Sequence, residues 1–365
     1  MLEAIAKAFV EAGDDVEVVT SSLPSGQVDI AAEGYSISRF RVRRDSSGYV
    51  RGYIPYLSFD VPLFFRLLFR KRPDVYLIEP PPTSGAVMRV ISWIKRRPYF
   101  YDAADIWSDA AVMSTNSQLV LTLLRQCELF ALGGARKIFT ISSGVSHRLK
   151  ELGVTNNIDI VGFGVDTTIF EYREVRPSKQ PYFVYAGTFS EPHGASIFVR
   201  AFAQFALSNP SYKLVFVGNG TQRKELEELA NSLSVESIEF REPVSPHHLN
   251  TLLNGAVASL ASLKPGTGYE YAFTTKIYAS LAAGCPVLFS GTGPTHQFMA
   301  ESAQQISAGR AVEFDEHQVF EAMILMDRHQ LSDSDRRTLS DWSRQKFSID
   351  VIASHIVATI HQEDS

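Results

Sequence analysis

The order of the predicted helices and strands constrains this chain more than any other feature, because one alternating pattern occurs twice. Apolar runs of strand length alternate with helical segments from about 16 to 164, and the alternation starts again at 182. Strands that are apolar on both faces and alternate with helices are typical of a parallel sheet covered on both sides. The polar, proline-bearing stretch at 171–181 indicates a linker. We therefore predict two Rossmann-like α/β domains with a ligand cleft between them.

The predicted domain boundaries follow from this pattern and from the length. With 365 residues, the chain is long enough for two domains. We place an N-terminal domain at 1–172 and a C-terminal domain at 173–345, and we expect the amphipathic helix within 346–365 to pack back on the first domain. A doubly wound domain usually opens with a strand and a Gly-rich turn. This chain begins inside a helix, so we expect that strand and loop to be missing.

The composition excludes several classes of protein. A hydrophobic content of 45% and a charged content of 21% are typical of a globular protein. No run of 18 uncharged apolar residues and no signal-peptide core occurs, so we expect no membrane span and a cytoplasmic location. Cys127 and Cys285 lie in apolar runs and are predicted to be buried free thiols in a reducing compartment. A net charge of −5 argues against nucleic-acid binding.

One segment departs from this acidic average. Between Arg39 and Arg97 there are thirteen Arg and Lys residues against four Asp and Glu. The segment contains two apolar stretches that end in basic clusters, VPLFFRLLFRKR (61–72) and RVISWIKRR (89–97). One interpretation is packed helices whose cations lie at their C-termini, where the helix dipole favours them. The other is a basic, aromatic-edged face that rests on an anionic membrane surface, and the two are compatible.

Three strand-to-helix turns of the second half combine glycines, hydroxyls and cations. They are AGTFSEPHG (186–194), VGNG (217–220) and EYAFTTKIY (270–278). Ligands bind at the carboxyl ends of parallel strands, where the following helices direct free N–H groups. This combination suits a diphosphate, whose charge would be stabilised as it leaves during a reaction. A purely structural role for each glycine is the alternative interpretation.

Lys276 is the most specific of these signals. It lies where a helix of about 275–283 is predicted to begin, against the positive end of the helix dipole. A cation in that position costs about 0.3–1 kcal/mol unless an anion lies nearby. The functional interpretation is a bound diphosphate, and the alternative is an ion pair with Glu270. His193 is a second candidate cation, with an ordinary surface histidine as its alternative.

Taken together, these residues resemble a known family, the retaining GT-B glycosyltransferases of family 4, and most of all its bacterial polysaccharide and lipid-linked-saccharide members. The resemblance runs over about 1–345. In the second half it rests on TTKIYASLAAGCPVLFSG, YAGTFSEPHGASIFVRAF and KLVFVGNG; in the first half it rests on YDAADIWSDA, TISSGVSHRLKELGV and GFGVDTTIF. It implies a hexosyltransferase-type enzyme that moves a sugar from a UDP- or GDP-linked donor to a saccharide or lipid-linked acceptor. It also implies retention of anomeric configuration, no metal or other cofactor, and a location that includes the inner face of the plasma membrane.

The resemblance assigns roles to residues of this chain. Those expected to contact the diphosphate are Gly187, Thr188, His193, Thr275 and Lys276. Those expected near the base are Gly218, Asn219, Pro243 and Val244. Glu270 is the candidate for a sugar hydroxyl and, with Lys276 and His193, is predicted to be catalytic. Asp105 and Trp107 are expected on the acceptor side, with aromatic packing as the alternative for Trp107.

The sequence also departs from the family pattern. The family usually has an arginine and a lysine on the first donor turn, where this chain has Thr188 and His193. The family's paired glutamates fall on Tyr271 and Ala279, and Glu270 is the nearest acidic substitute. Because the second glutamate usually holds the ribose, these departures leave open which nucleotide is bound.

These departures from the family pattern leave other functions open. The altered glutamate pair suits a non-catalytic GT-B-like partner protein, and a nucleotide-sugar epimerase or phosphorylase shares the fold. A nicotinamide-dependent oxidoreductase is disfavoured, because VGNG supplies only part of the Gly-x-Gly-x-x-Gly pattern and lies mid-chain. The acidic residues of SDSDRR (332–337) are interpreted as solvated surface and not as a metal site.

Overall fold

The computed structural model describes residues 1–23, 33–44, 53–113, 115, 117–174 and 180–364. Its contacts divide the chain into two compact units, one of 1–163 with 352–365 and one of 164–351. The change of unit at 163/164 comes earlier than the predicted boundary after 172. Of the predicted linker at 171–181, residues 175–179 lie outside the described residues.

Two parallel sheets form the framework of the first unit. One pairs β1 with β2, and the other has the order β3-β4-β5-β6. The strands are β1 (Glu17–Ser21), β2 (Ser36–Phe40), β3 (Tyr76–Ile78), β4 (Tyr99–Ala103), β5 (Lys137–Thr140) and β6 (Asn157–Ile160). Every residue of β4 is buried, which agrees with a sheet covered on both faces.

The helices of the first unit alternate with these strands. They are α1 (Leu2–Glu11), α2 (Tyr53–Phe69), α3 (Pro82–Lys95), the short α4 (Trp107–Ala110), α5 (Gln118–Leu132) and α6 (Ser143–Glu151), with a 3₁₀ turn at Ala111–Met113. The sequence analysis interpreted the apolar stretch at 61–72 as a helix. That start is wrong, because α2 continues through Pro62 back to Tyr53.

The last helix, α14 (Ile349–Asp364), completes the core of the first unit. Its apolar side chains, among them Ile352, Ile356 and Ile360, form one buried cluster with Phe100 and Phe139 of the sheet. This packing is the arrangement that the amphipathic pattern predicted.

The second unit is built on one six-stranded parallel sheet. Its strands are β7 (Tyr182–Ala186), β8 (Lys213–Val217), β9 (Ile238–Arg241), β10 (Ala258–Leu263), β11 (Val287–Gly291) and β12 (Gly309–Val312), in the order β12-β11-β10-β7-β8-β9. Every residue of β10 and β11 is buried. The order reverses direction between β7 and β10, as it does in doubly wound dinucleotide-binding folds.

Helices cover both faces of this sheet. They are α7 (Ser196–Ser208), α8 (Arg223–Ser232), α9 (Pro246–Gly255), α10 (Lys276–Ala282), α11 (Gly293–Gln305), α12 (Glu316–Arg328) and α13 (Asp333–Phe347), with a 3₁₀ turn at Glu191–His193. Ser245 caps α9 by accepting a hydrogen bond from the His248 N–H at 3.3 Å. Ser332 and Asp335 form a capping box at α13, which explains the acidic SDSDRR stretch.

Both cysteines have free thiols, and the predicted burial is confirmed for only one of them. Cys285 is buried and Cys127 is partly exposed. In the part of the chain that the structure describes, no helix is both long and apolar enough to cross a membrane.

Candidate active site

The strand order of the second unit locates a candidate site before any side chain is considered. In open parallel sheets, ligands bind outside the carboxyl ends of the two strands between which the order reverses. Those strands are β7 and β10, which pair in parallel. The segments that follow them are 187–195 and 264–275, which are two of the three turns that the sequence singled out.

Hydrogen bonds join these two segments. The Lys264 N–H donates to the Pro192 carbonyl at 2.8 Å, and the Ser262 hydroxyl donates to the His193 carbonyl. His193 and Lys276 lie close enough that the lysine charge lowers the pKa of the histidine. The tertiary structure therefore brings together two predicted site residues that are separated by more than 80 positions in the sequence.

Lys276 is the first residue of α10, close to the predicted helix start. Its Nζ donates a hydrogen bond to Tyr185 Oη at 2.9 Å and lies 4.1 Å from the centroid of that ring. Tyr185 Oη in turn donates to the Thr188 carbonyl at 3.3 Å. Burial lowers the pKa of Lys276 from 10.5 to about 7, because a charged ammonium loses hydration that the tyrosine only partly replaces.

The alternative interpretation of Lys276, an ion pair with Glu270, is wrong. Among the described residues Lys276 forms no ion pair. The Glu270 carboxylate instead accepts hydrogen bonds from the N–H groups of Thr267 at 3.0 Å and Gly268 at 3.4 Å. Burial raises the pKa of Glu270, but these backbone hydrogen bonds outweigh burial and lower it overall. Lys276 is therefore a partly buried cation without a counter-charge in the part of the chain that the structure describes.

His193 is not the cation that the sequence analysis expected. Burial first, and the neighbouring Lys276 second, lower its pKa from 6.5 to about 4. The imidazole is therefore neutral at pH 7 while the site is empty. Its Nδ1 is buried and has no hydrogen-bond partner among the residues that the structure describes. An unsatisfied buried nitrogen is costly, and a ligand group that bonded to it would remove that cost.

The glycines of the first two turns are required by close backbone packing. A Cβ at Gly218 would lie 2.0 Å from the Gly187 carbonyl oxygen, and one at Gly220 would lie 2.2 Å from the Phe189 carbonyl oxygen. A Cβ at Gly187 would meet Lys276 Nζ at 2.9 Å. Close backbone packing thus requires glycine at Gly218 and at Gly220, whether or not the turn also binds a ligand. Gly187 also leaves room for the ammonium.

The remaining predicted donor residues lie on neighbouring turns of the same sheet edge. Thr188 is exposed, and Asn219 Oδ1 accepts a hydrogen bond from the Gly220 N–H at 2.8 Å. Pro243 is exposed just after β9, whereas Val244 packs against the hydrophobic core. Thr275 occupies the cap position of α10 without a side-chain capping bond. Tyr185, which holds Lys276, was missed by sequence reasoning because it looks like any other strand residue.

Asp105 and Trp107 lie in the first unit, beside a cavity of about 570 Å³. The cavity is at the carboxyl ends of β3 to β6, and its lining also includes Glu79, Asp102 and Phe163. Burial raises the pKa of Glu79 to about 7 and that of Asp102 to about 6. Sequence reasoning missed both carboxyl groups, whose burial depends on residues distant in the chain.

The packing interpretation of Trp107 is confirmed, and its acceptor-side role stays a prediction. It packs edge-on against the Tyr56 ring at a centroid distance of 5.8 Å, and it also lines the cavity. The Glu128 carboxylate accepts hydrogen bonds from the N–H groups of Trp107 at 2.8 Å and Ser108 at 3.1 Å. Glu128 therefore caps the start of α4 and holds the tryptophan in place.

Within the ranges that the structure describes, no three His, Cys, Asp or Glu side chains form a group that could hold a metal ion. The absence of a metal from the reaction stays a prediction of the resemblance.

Solved structures of other proteins share this fold. Sucrose-phosphate synthase from Thermosynechococcus elongatus matches with a TM-score of 0.74 and 16% identity, over 98% of this chain and 91% of that chain. Anabaena HepE in complex with UDP-glucose matches with a TM-score of 0.67 and 15% identity, over 95% and 99%. A UDP-N-acetylglucosamine 2-epimerase (so named from sequence) from Listeria monocytogenes matches with a TM-score of 0.58 and 10% identity, over 96% and 98%. At these identities the likeness shows the fold alone.

Two family models, one for each half of the sequence, identify the family of this chain. A glycosyl transferase 4-like domain matches 1–164, and the glycosyl transferases group 1 model matches 166–324. No curated protein matches the chain significantly. The two adjoining matches span most of the chain in the order that the fold requires. This chain therefore belongs to the group 1 glycosyltransferases and has the GT-B fold.

Proposed function

We propose that this glycosyltransferase moves a sugar from a nucleotide-diphosphate sugar to a saccharide or lipid-linked acceptor, with retention of configuration and without a metal ion. We place the reaction in bacterial cell-surface glycan synthesis, on the cytoplasmic side of the membrane. The anomeric outcome, the metal independence and the cellular role rest on the family resemblance. The donor class rests on the chemistry of the second unit.

One observation carries the donor proposal, namely the pairing of Lys276 with His193 at the switch point of the sheet. Both side chains are partly buried, and neither has a carboxylate partner among the described residues. The pKa of each is lowered, to about 7 and about 4. A site that destabilises its own cations is complementary to an anion, because the anion restores the favourable interaction that burial removed.

The proposed roles follow from this charge balance. The Lys276 ammonium binds the diphosphate and stabilises the negative charge that develops on it when the bond to the sugar breaks. Neutral His193 donates a hydrogen bond to a phosphate oxygen or a sugar hydroxyl. Glu270, whose carboxylate is held by its own loop, accepts a hydrogen bond from a sugar hydroxyl. The diphosphate is also close to the turns that carry Gly187 and Thr188.

The turns that follow β8 and β9 suit the nucleoside part of the donor, with Asn219 and Pro243 exposed. Gly218, Asn219 and Pro243 are at the carboxyl ends of β8 and β9, beside the switch point. Val244 supports this turn from within the core. We propose that the acceptor occupies the cavity of the first unit, where Trp107 supplies an aromatic face for a sugar ring and Asp105 a hydroxyl acceptor. Glu79 and Asp102 extend this set of carboxyl groups.

The proposal is tested by incubating the protein with UDP-glucose, with other UDP-sugars and with GDP-sugars, in the presence of EDTA. Since the HepE structure contains UDP-glucose, that donor is tried first. We expect saturable donor binding, release of free nucleotide with an acceptor, and a product with the donor's anomeric configuration. Donor binding without nucleotide release under any acceptor condition supports the non-catalytic alternative. Conversion of the free nucleotide sugar to its epimer supports the alternative function, that of an epimerase.

Donor affinity is expected to depend on pH. Lys276 is half-deprotonated near pH 7 in the empty site and must be protonated to bind a diphosphate, so binding takes up a proton above pH 7. Affinity should therefore fall as the pH rises from about 7 to 9, by at most about tenfold per pH unit. Calorimetry in buffers of different ionisation enthalpy measures the proton uptake. A nucleotide sugar is the right probe because its doubly esterified diphosphate does not titrate in this range.

The pH experiment has an internal control. The Lys276→Met variant should bind the donor more weakly, and its donor binding should take up no proton at pH 8. If the wild type takes up no proton at pH 8, Lys276 is not the group that meets the diphosphate.

The acceptor role of Trp107 predicts a selective kinetic effect. Trp107→Ala should raise the KM for a soluble acceptor by about two- to tenfold, since ring contacts contribute about 0.5–1.5 kcal/mol. It should leave the KM for the donor unchanged. Initial rates with each substrate varied separately measure both constants. Trp93→Ala, which alters an exposed tryptophan of the same unit, is the matched control and should change neither. An equal rise in both KM values for Trp107→Ala would contradict an acceptor-side role.

A further inference from the structure

The helix α2 exposes a continuous apolar stripe. Leu57, Val61, Phe65 and Phe69 are spaced by four residues, which keeps them on one side of the helix, and all four are exposed. Phe69 is 83% exposed. The helix also buries Leu63 and Leu67 on its other side, so packing within the unit already uses one apolar face. The exposed stripe is a second apolar face that the fold leaves uncovered among the described residues.

The end of α3 extends this stripe. Trp93 is 80% exposed, and Ile94 beside it is also exposed. Two hydrogen bonds join the C-terminal ends of α2 and α3. Lys95 Nζ donates to the Arg70 carbonyl at 2.8 Å, and Arg72 Nη2 donates to the Arg96 carbonyl at 3.0 Å. The exposed aromatic residues of both helices therefore border the same pair of helix ends.

These helix ends also carry uncompensated positive charge. Lys71, Arg72 and Arg96 are exposed and form no ion pair with any described residue. Their neighbours Arg70 and Arg97 do form ion pairs, with Glu17 and Asp74. The free cations are notable in a chain whose net charge is −5. We define the α2–α3 tip as Phe69, Lys71, Arg72, Trp93, Ile94 and Arg96.

We propose that the α2–α3 tip docks on an anionic phospholipid bilayer, with Phe69, Trp93 and Ile94 in the interfacial layer and the three cations on lipid headgroups. Tryptophan favours the membrane–water interface, and surface lysines and arginines are attracted to anionic lipid. A second copy of the chain is a poorer occupant, because it would bring the same three cations into contact with these. Of the basic segment predicted at 39–97, we assign docking only to this tip. Residues 45–52 lie outside the described part of the chain.

Vesicle co-sedimentation of the full chain tests the proposal. One set of vesicles is phosphatidylcholine alone, and the other also contains phosphatidylglycerol. We expect binding to the anionic vesicles at low salt, weaker binding at high salt, and at least tenfold weaker binding to neutral vesicles. Each surface cation strengthens attachment to anionic lipid by about fivefold. Lys71→Glu/Arg72→Glu/Arg96→Glu should therefore lower the partition coefficient by about 100-fold or more.

The apolar contribution is tested separately by Phe69→Ser/Trp93→Ser. This variant should lose at least tenfold in partitioning, and its melting temperature should be unchanged, because both side chains already face solvent. Two matched controls lie on the second unit. Leu207→Ser removes an equally exposed apolar side chain (84%), and Lys224→Glu reverses an exposed lysine (88%). Both should bind vesicles like the wild type.

Equal binding of the wild type to neutral and anionic vesicles would overturn the proposal. So would tip variants that bind like the controls. Sedimentation velocity tests the alternative, in which a second copy of the chain covers this face. A wild-type dimer that the Phe69→Ser/Trp93→Ser variant dissociates, with vesicle binding unchanged, would show that a second copy covers this face. None of these measurements depends on glycosyl transfer, so their outcome is independent of whether the proposed function is correct.

Discussion

Lys276→Met is expected to lower kcat/KM for the donor by about 100- to 1,000-fold, which is the usual effect of removing one group that stabilises charge in a transition state. The change removes the ammonium but keeps a side chain of similar length against Tyr185. The melting temperature should be unchanged or higher, because burial disfavours the charged lysine in the empty site, as its lowered pKa shows. Loss of activity with retained stability is the signature of a functional residue.

The matched control is Lys224→Met, which changes an exposed lysine on α8 of the same unit. It should keep wild-type kinetics and stability. Steady-state rates with the donor varied, together with thermal unfolding of all three proteins, complete the experiment. Wild-type turnover by Lys276→Met would refute the proposed donor site. A fall in melting temperature that parallels the lost activity would instead identify Lys276 as a structural residue.

Gly218→Ala is expected to lower the free energy of unfolding by about 2–4 kcal/mol. Its φ of 144° is one that side chains rarely adopt, and the new Cβ would lie 2.0 Å from the Gly187 carbonyl oxygen. Because that neighbour is backbone, no side-chain rotation can relieve the clash. The turn that carries Gly187 and Thr188 must move, so donor affinity should fall as well. Urea unfolding and donor titration measure the two effects.

A second glycine separates backbone strain from collision. Gly268 also has a positive φ, of 76°, but a Cβ there would meet nothing within 4 Å. Gly268→Ala should therefore cost only about 1 kcal/mol, from the left-handed conformation alone. If the two variants lose the same stability, the close packing of the two turns is not what requires glycine at Gly218.

Several features of the molecule could be read from local sequence. The alternation of apolar strands and helices predicted the parallel sheet of the second unit, because periodicity reflects which faces are buried. Ser245 and Pro246 predicted the start of α9, since caps are satisfied within one turn. Lys276 stood out because its charge opposes the dipole of its own helix. The family motifs predicted the GT-B fold, which the family and structural comparisons confirm.

Predictions from the sequence were wrong where the local signals were ambiguous. The helix interpreted at 61–72 runs instead from Tyr53 to Phe69, and its Leu63 and Leu67 are buried within the unit. Glu270 was the nearest acid to Lys276 in sequence, but the N–H groups of its own loop hold its carboxylate. In both cases contacts in the folded unit outweighed the local pattern.

The sequence by itself determined the two Rossmann-like halves, the family and the identity of the cation at the first turn of α10. Only the tertiary structure decided what surrounds that cation. It placed Tyr185 under Lys276, made His193 neutral and brought Gly187 and Gly218 into contact. The physical reason is that desolvation and backbone contact depend on groups from β7, β8 and β10, which are far apart in the chain. No local pattern records how closely such groups approach.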